Sequence, residues 1–195
     1  MSETLDQRPL IVALAGPNGA GKTTFYHAFL EPTQLRFVSA DVLAEALRLE
    51  PYDAAELANA LRQQLAAERE SFIFETVFSD PGGDKLGFLK IAAQEGYTVV
   101  LCLIGLPSHD VSEQRVAMRV SQGGHDVPTE KLAERFERTL RNLEVGIREL
   151  PHVWVFDNGD LEEPFRKVAV FQNGRQVELH RPVPAWLRPL LPSGR

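Results

Sequence analysis

Leu10-Ile11-Val12-Ala13-Leu14-Ala15-Gly16-Pro17-Asn18-Gly19-Ala20-Gly21-Lys22-Thr23 decides how the rest of the chain is read. Leu10 to Ala15 is a short apolar run of buried-strand type. Gly16 to Thr23 meets the pattern G-x-x-x-x-G-K-[ST] at every fixed position. Lys22 to Leu30 then opens as a helix. Strand, glycine-rich turn and helix form the setting in which backbone N–H groups and the positive end of a helix surround a polyphosphate. Gly16, Gly19 and Gly21 supply the backbone angles, with Pro17, Asn18 and Ala20 completing the loop. The pattern assigns Lys22 to the β- and γ-phosphates of ATP and the Thr23 hydroxyl to Mg²⁺. Thr24 follows as part of the same nucleotide-binding stretch.

The bulk properties set limits around this motif. A chain of 195 residues is one domain, or a domain with a small appendage, and it is large enough to bury a core without disulfides. Its apolar content of 44% and charged content of 25% are globular values. A net charge of −6 argues against a general nucleic-acid or membrane-surface binder. Cys102 is the sole cysteine and sits in an apolar run, where a buried, inert thiol is expected. The first residues carry no apolar signal core, and no window approaches 18 uninterrupted apolar residues, so a cytoplasmic location is expected.

Further along, Arg36 to Asp41 reads as a short strand ending in a carboxylate. Asp41 is either the N-cap of the helix that follows or a group facing the γ-phosphate, able to take a proton from an attacking hydroxyl or to hold Mg²⁺ through water. Leu57, Leu61 and Leu65 recur every four residues as the expected seam of a second helix. Ser71 to Thr76 is a third strand, with Glu75 and Thr76 at its carboxyl end, where ligands of open α/β sheets bind. Glu75 contacts substrate or Mg²⁺-bound water on this reading, or else is a solvated Glu. Tyr97 to Ile104 is the clearest strand, and no Asp follows it. The acidic Mg²⁺ partner of a P-loop protein therefore has to come from Asp41 or Glu75. Arg115 and Arg119 lie four apart on one helix face, before Gly123-Gly124-His125. With Arg135 on the next helix, they are candidates for stabilising charge on a transferring phosphoryl group. Arg138, Arg141 and Arg148 read as salt-bridged helix surface, and Thr129 as a helix cap. Val153 to Phe156 is a fifth strand, and Arg166 to Leu179 a hairpin turning at Asn173-Gly174.

Taken together, Gly16 to Asp41, Phe74-Glu75-Thr76 and Arg115 to Pro128 resemble the zeta-toxin-like P-loop kinases, specifically their short, solitary bacterial branch. The resemblance covers roughly residues 10–158. It implies transfer of the ATP γ-phosphate to a hydroxyl of a nucleotide-linked substrate, UDP-N-acetylglucosamine in the toxins. It places Lys22 at the phosphates, Thr23 at Mg²⁺, Asp41 as general base and Glu75 on the substrate side with Thr76. The first of the toxins' two lid arginines matches Arg115 or Arg119. The second falls near Gly124 or His125, where this chain departs from the toxin pattern.

The expected fold is α/β: a three-layer P-loop kinase with a mostly parallel five-stranded sheet, plus a C-terminal β-hairpin. Residues 1–160 form the kinase domain, with a lid at about 119–130, and residues 161–195 a hairpin and tail packed on it. The expected cofactors are ATP and Mg²⁺ and the expected partner is a small-molecule hydroxyl acceptor, with an antitoxin left open. An ATP-hydrolysing switch acting on a partner is the alternative.

Overall fold

The computed structural model describes residues 2–121 and 129–192. The sheet is built around β1 (Leu10–Ala15), every residue of which is buried. It lies between β3 (Phe72–Thr76) and β4 (Thr98–Gly105), parallel to both, with Ala13 opposite Phe74 on one side and Leu101 on the other. Strands buried on both faces need continuous apolar runs, which is why these segments do not alternate with polar residues. β2 (Arg36–Val38) extends the parallel sheet beyond β3, and β5 (His152–Asp157) extends it beyond β4. The chain thus leaves β1 for neighbours on opposite sides, which opens a crevice at the carboxyl ends of the strands.

Two more strands continue the sheet. β6 (Arg166–Gln172) pairs antiparallel with β5, and β7 (Arg175–Leu179) antiparallel with β6. The order is β2-β3-β1-β4-β5-β6-β7, a seven-stranded sheet. The expected five parallel strands are present, but the hairpin extends their sheet. Val168, Ala169, Val170 and Phe171 are all buried, so β6 has apolar side chains for both layers. Asn173 and Gly174, at φ 48° and 76°, form the two-residue turn that such a hairpin requires.

Helices cover both faces. α1 (Ser2–Leu5) precedes β1, and α2 (Lys22–Phe25) continues in wider π turns through Tyr26–Leu30. α3 (Ala40–Leu47) and α4 (Pro51–Ala67) lie between β2 and β3, α5 (Asp84–Gln94) between β3 and β4, and α6 (His109–Ser121) and α7 (Thr129–Glu149) between β4 and β5. Ile11, Ala13 and Ala15 join one buried cluster with Ala58, Leu65, Leu89, Leu143 and Ile147; Leu10, Val12 and Leu14 join another with Phe25, Leu30 and Phe156. This two-residue alternation places the sheet between two helical layers. Trp186 and Leu187 of the C-terminal segment belong to the first cluster.

Two local readings change. α4 buries Ala54, Ala58, Arg62 and Leu65, and Leu61 is exposed. Arg62 takes a seam position by laying its guanidinium over the Phe74 ring, 5.1 Å from its centroid, and donating to Asn59 Oδ1. Arg138 pairs with Glu134, but it is more than surface: its Nε donates to the Ser79 carbonyl at 2.8 Å. Thr139 donates to Val77 O, and Asn142 to Phe78 O and Asp80 O, so α7 holds the loop that follows β3. Arg148 pairs with Glu144 as the helix-surface reading expects. The expected lid centre, with Gly123, Gly124 and His125, lies outside the described residues, as does the side chain of Thr129.

Candidate active site

The glycine-rich loop leaves β1 and enters α2 with Gly16, Gly19 and Gly21 at φ 153°, 72° and 83°. Gly16 also has no room for a side chain: a Cβ there would meet the Ile104 carbonyl oxygen at 2.3 Å. Two distant segments hold the loop from outside. Ser112 of α6, 1% exposed, donates its hydroxyl to the Asn18 carbonyl at 2.6 Å. Asn158, just past β5 and buried, donates its amide to the Ala20 carbonyl at 2.9 Å and accepts from the Phe165 N–H at 3.3 Å.

Lys22 lies under the loop, 7% exposed, and its Nζ donates to the carbonyls of Gly16 at 3.0 Å and Pro17 at 3.2 Å. Burial is the main influence on its pKa and pulls it below the usual lysine value. Glu75 and Asp41 oppose that fall, and Arg119 adds to it. Glu75 stands at the carboxyl end of β3, its Oε1 3.7 Å from Lys22 Nζ. Its Oε2 accepts from Thr23 Oγ1 at 3.2 Å and from Ser39 Oγ at 3.3 Å. An ammonium and three oxygen-bearing side chains therefore gather at the start of α2.

Asp41 lies in the first turn of α3, with Ser39 rather than Asp41 at the N-cap position. Its carboxylate is 71% exposed, and its Oδ2 is 4.0 Å from Arg119 Nη1 across the crevice. Asp41, Arg119, Glu75 and Lys22 thus share one edge of the sheet. Arg115 starts beside Gly19, but its Nη2 donates to the Asn158 carbonyl at 2.8 Å, so in this structure it braces the loop after β5. Thr76 Oγ1 accepts from the Phe78 N–H and forms a local turn. Thr24 is exposed. Arg135 sits half-buried on α7, and no bond joins it to Lys22, Glu75 or Asp41 among the described residues. Ser39, Ser112 and Asn158 are absent from the motif reading. Their contacts with the loop and with Glu75 span 36 to 138 residues of sequence, and no local pattern marks them.

The donor set suits Mg²⁺. The Thr23 hydroxyl and the Glu75 carboxylate lie side by side, 3.2 Å apart, as hard oxygen donors, and Mg²⁺ is held by few protein oxygens together with water and phosphate. No cluster of three or more His, Cys, Asp or Glu side chains capable of holding a metal occurs among the described residues. No helix among them is long and apolar enough to cross a membrane.

A family model described as AAA domain matches residues 11–145. No curated protein matches the sequence. Among solved structures, a chain of the AvrRxo1-ORF1:AvrRxo1-ORF2 complex with sulphate ions superposes with a TM-score of 0.68 at 20% identity, covering 97% of this chain and 66% of that one. A chain of the same complex with ATP gives 0.67 at 19% identity, covering 91% of this chain and 63% of that one. The chain therefore spans just under two thirds of those longer chains. A chain of the PezAT chromosomal toxin-antitoxin system of Streptococcus pneumoniae gives 0.57 at 14% identity, covering 95% of this chain and 78% of that one. At these identities the likeness shows the fold, that of the P-loop kinases.

Proposed function

From the premise that this chain belongs to the AAA domain family and carries a P-loop kinase fold, we propose that it transfers the γ-phosphate of ATP to a hydroxyl of a small molecule. The observation that carries the reading is the shared edge at which Lys22, Thr23, Glu75, Asp41 and Arg119 meet. A zeta-toxin-like acceptor, a nucleotide-sugar such as UDP-N-acetylglucosamine or a related metabolite, fits the sequence resemblance. Residues 1–160 are the catalytic unit on this reading, with residues 161–195 as a hairpin and tail on the same domain, and the setting is cytoplasmic.

The loop amides and Lys22 hold the β- and γ-phosphates. Lys22 exchanges its carbonyl and Glu75 partners for phosphate oxygens. Thr23 and Glu75 would hold Mg²⁺, which would supply charge neutralisation at the phosphates. Asp41 accepts the proton of the acceptor hydroxyl as its oxygen attacks the γ-phosphorus. The bond between that phosphorus and the β–γ bridging oxygen breaks, ADP leaves with the bond's electron pair, and Asp41 later returns the proton to water. Arg119, beside Asp41, offsets charge on the phosphoryl group in flight.

Purified protein incubated with ATP, Mg²⁺ and a panel of UDP-sugars, NAD and nucleosides, followed by mass spectrometry, tests the proposal. An acceptor gaining one phosphate is expected. Asp41→Asn lowers transfer by roughly 10²–10⁴-fold with ATP binding nearly intact. ATP hydrolysis with no phosphorylated acceptor anywhere in the panel, stimulated instead by a protein partner, would overturn it.

A further inference from the structure

Ser39 stands at the N-cap position of α3, with extended backbone at φ −131° and ψ 129°, yet its side chain makes no capping hydrogen bond. An N-cap serine ordinarily turns its hydroxyl to an N–H in the first turn of its helix. Here Oγ donates instead to Glu75 Oε2 at 3.3 Å, and the residue is 2% exposed. Thr23 Oγ1, at the start of α2, donates to the same oxygen at 3.2 Å. Glu75 is thus the meeting point of three segments: the start of α2, the start of α3 and the end of β3.

We propose that Ser39 is a positioning residue that fixes the Glu75 carboxylate against Thr23, so that hydroxyl and carboxylate face a divalent cation together. The inference rests on the kinase reading and deepens it by assigning a residue outside the glycine-rich motif. The geometry supplies the reason a third group is needed. Glu75 has two competing attractions, Lys22 Nζ at 3.7 Å from Oε1 and Thr23 at Oε2. Without a third partner, attraction to the ammonium would draw the carboxylate away from Thr23 and toward Lys22. Ser39 holds Oε2 on the Thr23 side, so that Oε1 stays 3.7 Å from Lys22 Nζ, beyond hydrogen-bond distance, while Nζ keeps its two carbonyl bonds. Removing a partner that orients a metal ligand costs metal affinity on the order of 10-fold or more.

Calorimetric titration of the whole chain with a non-hydrolysable ATP analogue, across a Mg²⁺ series and in EDTA, reads this without turnover. In Ser39→Ala the Mg²⁺ concentration giving half the metal-dependent gain in affinity rises about 10-fold, and the affinity in EDTA stays within about twofold of the parent. Ser39→Thr keeps the hydroxyl and restores the parent value. Ser39→Cys, similar in volume and a weak donor, reproduces the shift if the alanine variant does not fold. On a Glu75→Gln background, Ser39→Ala adds no further shift. Parent-like Mg²⁺ dependence in both Ser39→Ala and Ser39→Cys overturns the assignment, and so does an equal loss in EDTA or a full additional shift on Glu75→Gln. Failure of the underlying reading looks different: the parent itself then shows no analogue binding that Lys22→Ala removes.

Discussion

Asn158→Ala tests whether the glycine-rich loop is held from outside. The Asn158 amide donates to the buried Ala20 carbonyl at 2.9 Å, and its Oδ1 accepts from the Phe165 N–H at 3.3 Å. Each bond contributes about 1 kcal/mol net, and a buried group left without a partner costs about 1–3 kcal/mol. Truncation to alanine strands the Ala20 carbonyl fully and the half-buried Phe165 N–H in part, so the loss sums to about 2–4 kcal/mol. For a chain of this size each kcal/mol shifts Tm by roughly 2–4 °C, which gives a fall of roughly 4–16 °C without nucleotide. Asn158→Asp is the sharper variant. It places an oxygen where Nδ2 was, facing the Ala20 carbonyl, and brings in a buried charge, so it destabilises more than alanine. Calorimetric melting of the three proteins at neutral pH measures both effects. A drop of less than 2 °C for Asn158→Ala, or an aspartate variant as stable as the parent, would refute the claim that this side chain carries the loop.

Other outcomes follow from the same structure. Gly16→Ala forces a Cβ to within 2.3 Å of the Ile104 carbonyl at a φ of 153°, and such overpacking costs about 1–3 kcal/mol, read as a lowered urea midpoint together with loss of ATP binding. His152 is partly buried with no hydrogen-bond partner at Nδ1 among the described residues, and burial lowers its pKa from 6.5. The unfolded chain then binds a proton more readily than the folded one, so the contribution is fully present above about pH 6.5 and is lost as pH falls from there through the lower folded pKa. Urea midpoints compared at pH 7.5 and 5.5 should show a smaller decrease in His152→Gln than in the parent. Cys102 is fully buried and burial pushes its thiol pKa up, so a thiol reagent at pH 8 labels it only as fast as the protein unfolds, and labelling complete within seconds on native protein would contradict this.

The sequence displays the parts of the fold that depend on neighbours along the chain. Leu10 to Thr23 is read in full because strand, turn and helix are local and the glycines mark the angles. The parallel strands are legible because burial on both faces leaves unbroken apolar runs. What escapes is whatever is decided across the sheet. The apolar period of α4 points to Leu61, yet Arg62 takes the seam because Phe74, on another element, offers a ring for its guanidinium to cover. Arg115 reads as a phosphate ligand from its helix face, and the Asn158 carbonyl that engages it lies 43 residues away. Ser39 reads only as part of the short strand from Arg36 to Asp41, because Glu75 comes beside it only after β2 and β3 pair.

The central position of β1 also bears on how the chain is made. An apolar strand near the start of the sequence has both sheet partners far downstream, in β3 and β4, and it emerges from the ribosome long before either. At a synthesis rate of about 5–20 residues per second, the interval before β4 is complete is roughly 5–20 s. Until then the loop that follows β1 lacks the Ile104 carbonyl beside Gly16, and longer still the contacts of Ser112 and Asn158. In that interval the loop lacks the groups that hold its shape, and the apolar run from Leu10 to Ala15 is a segment that needs shielding from aggregation.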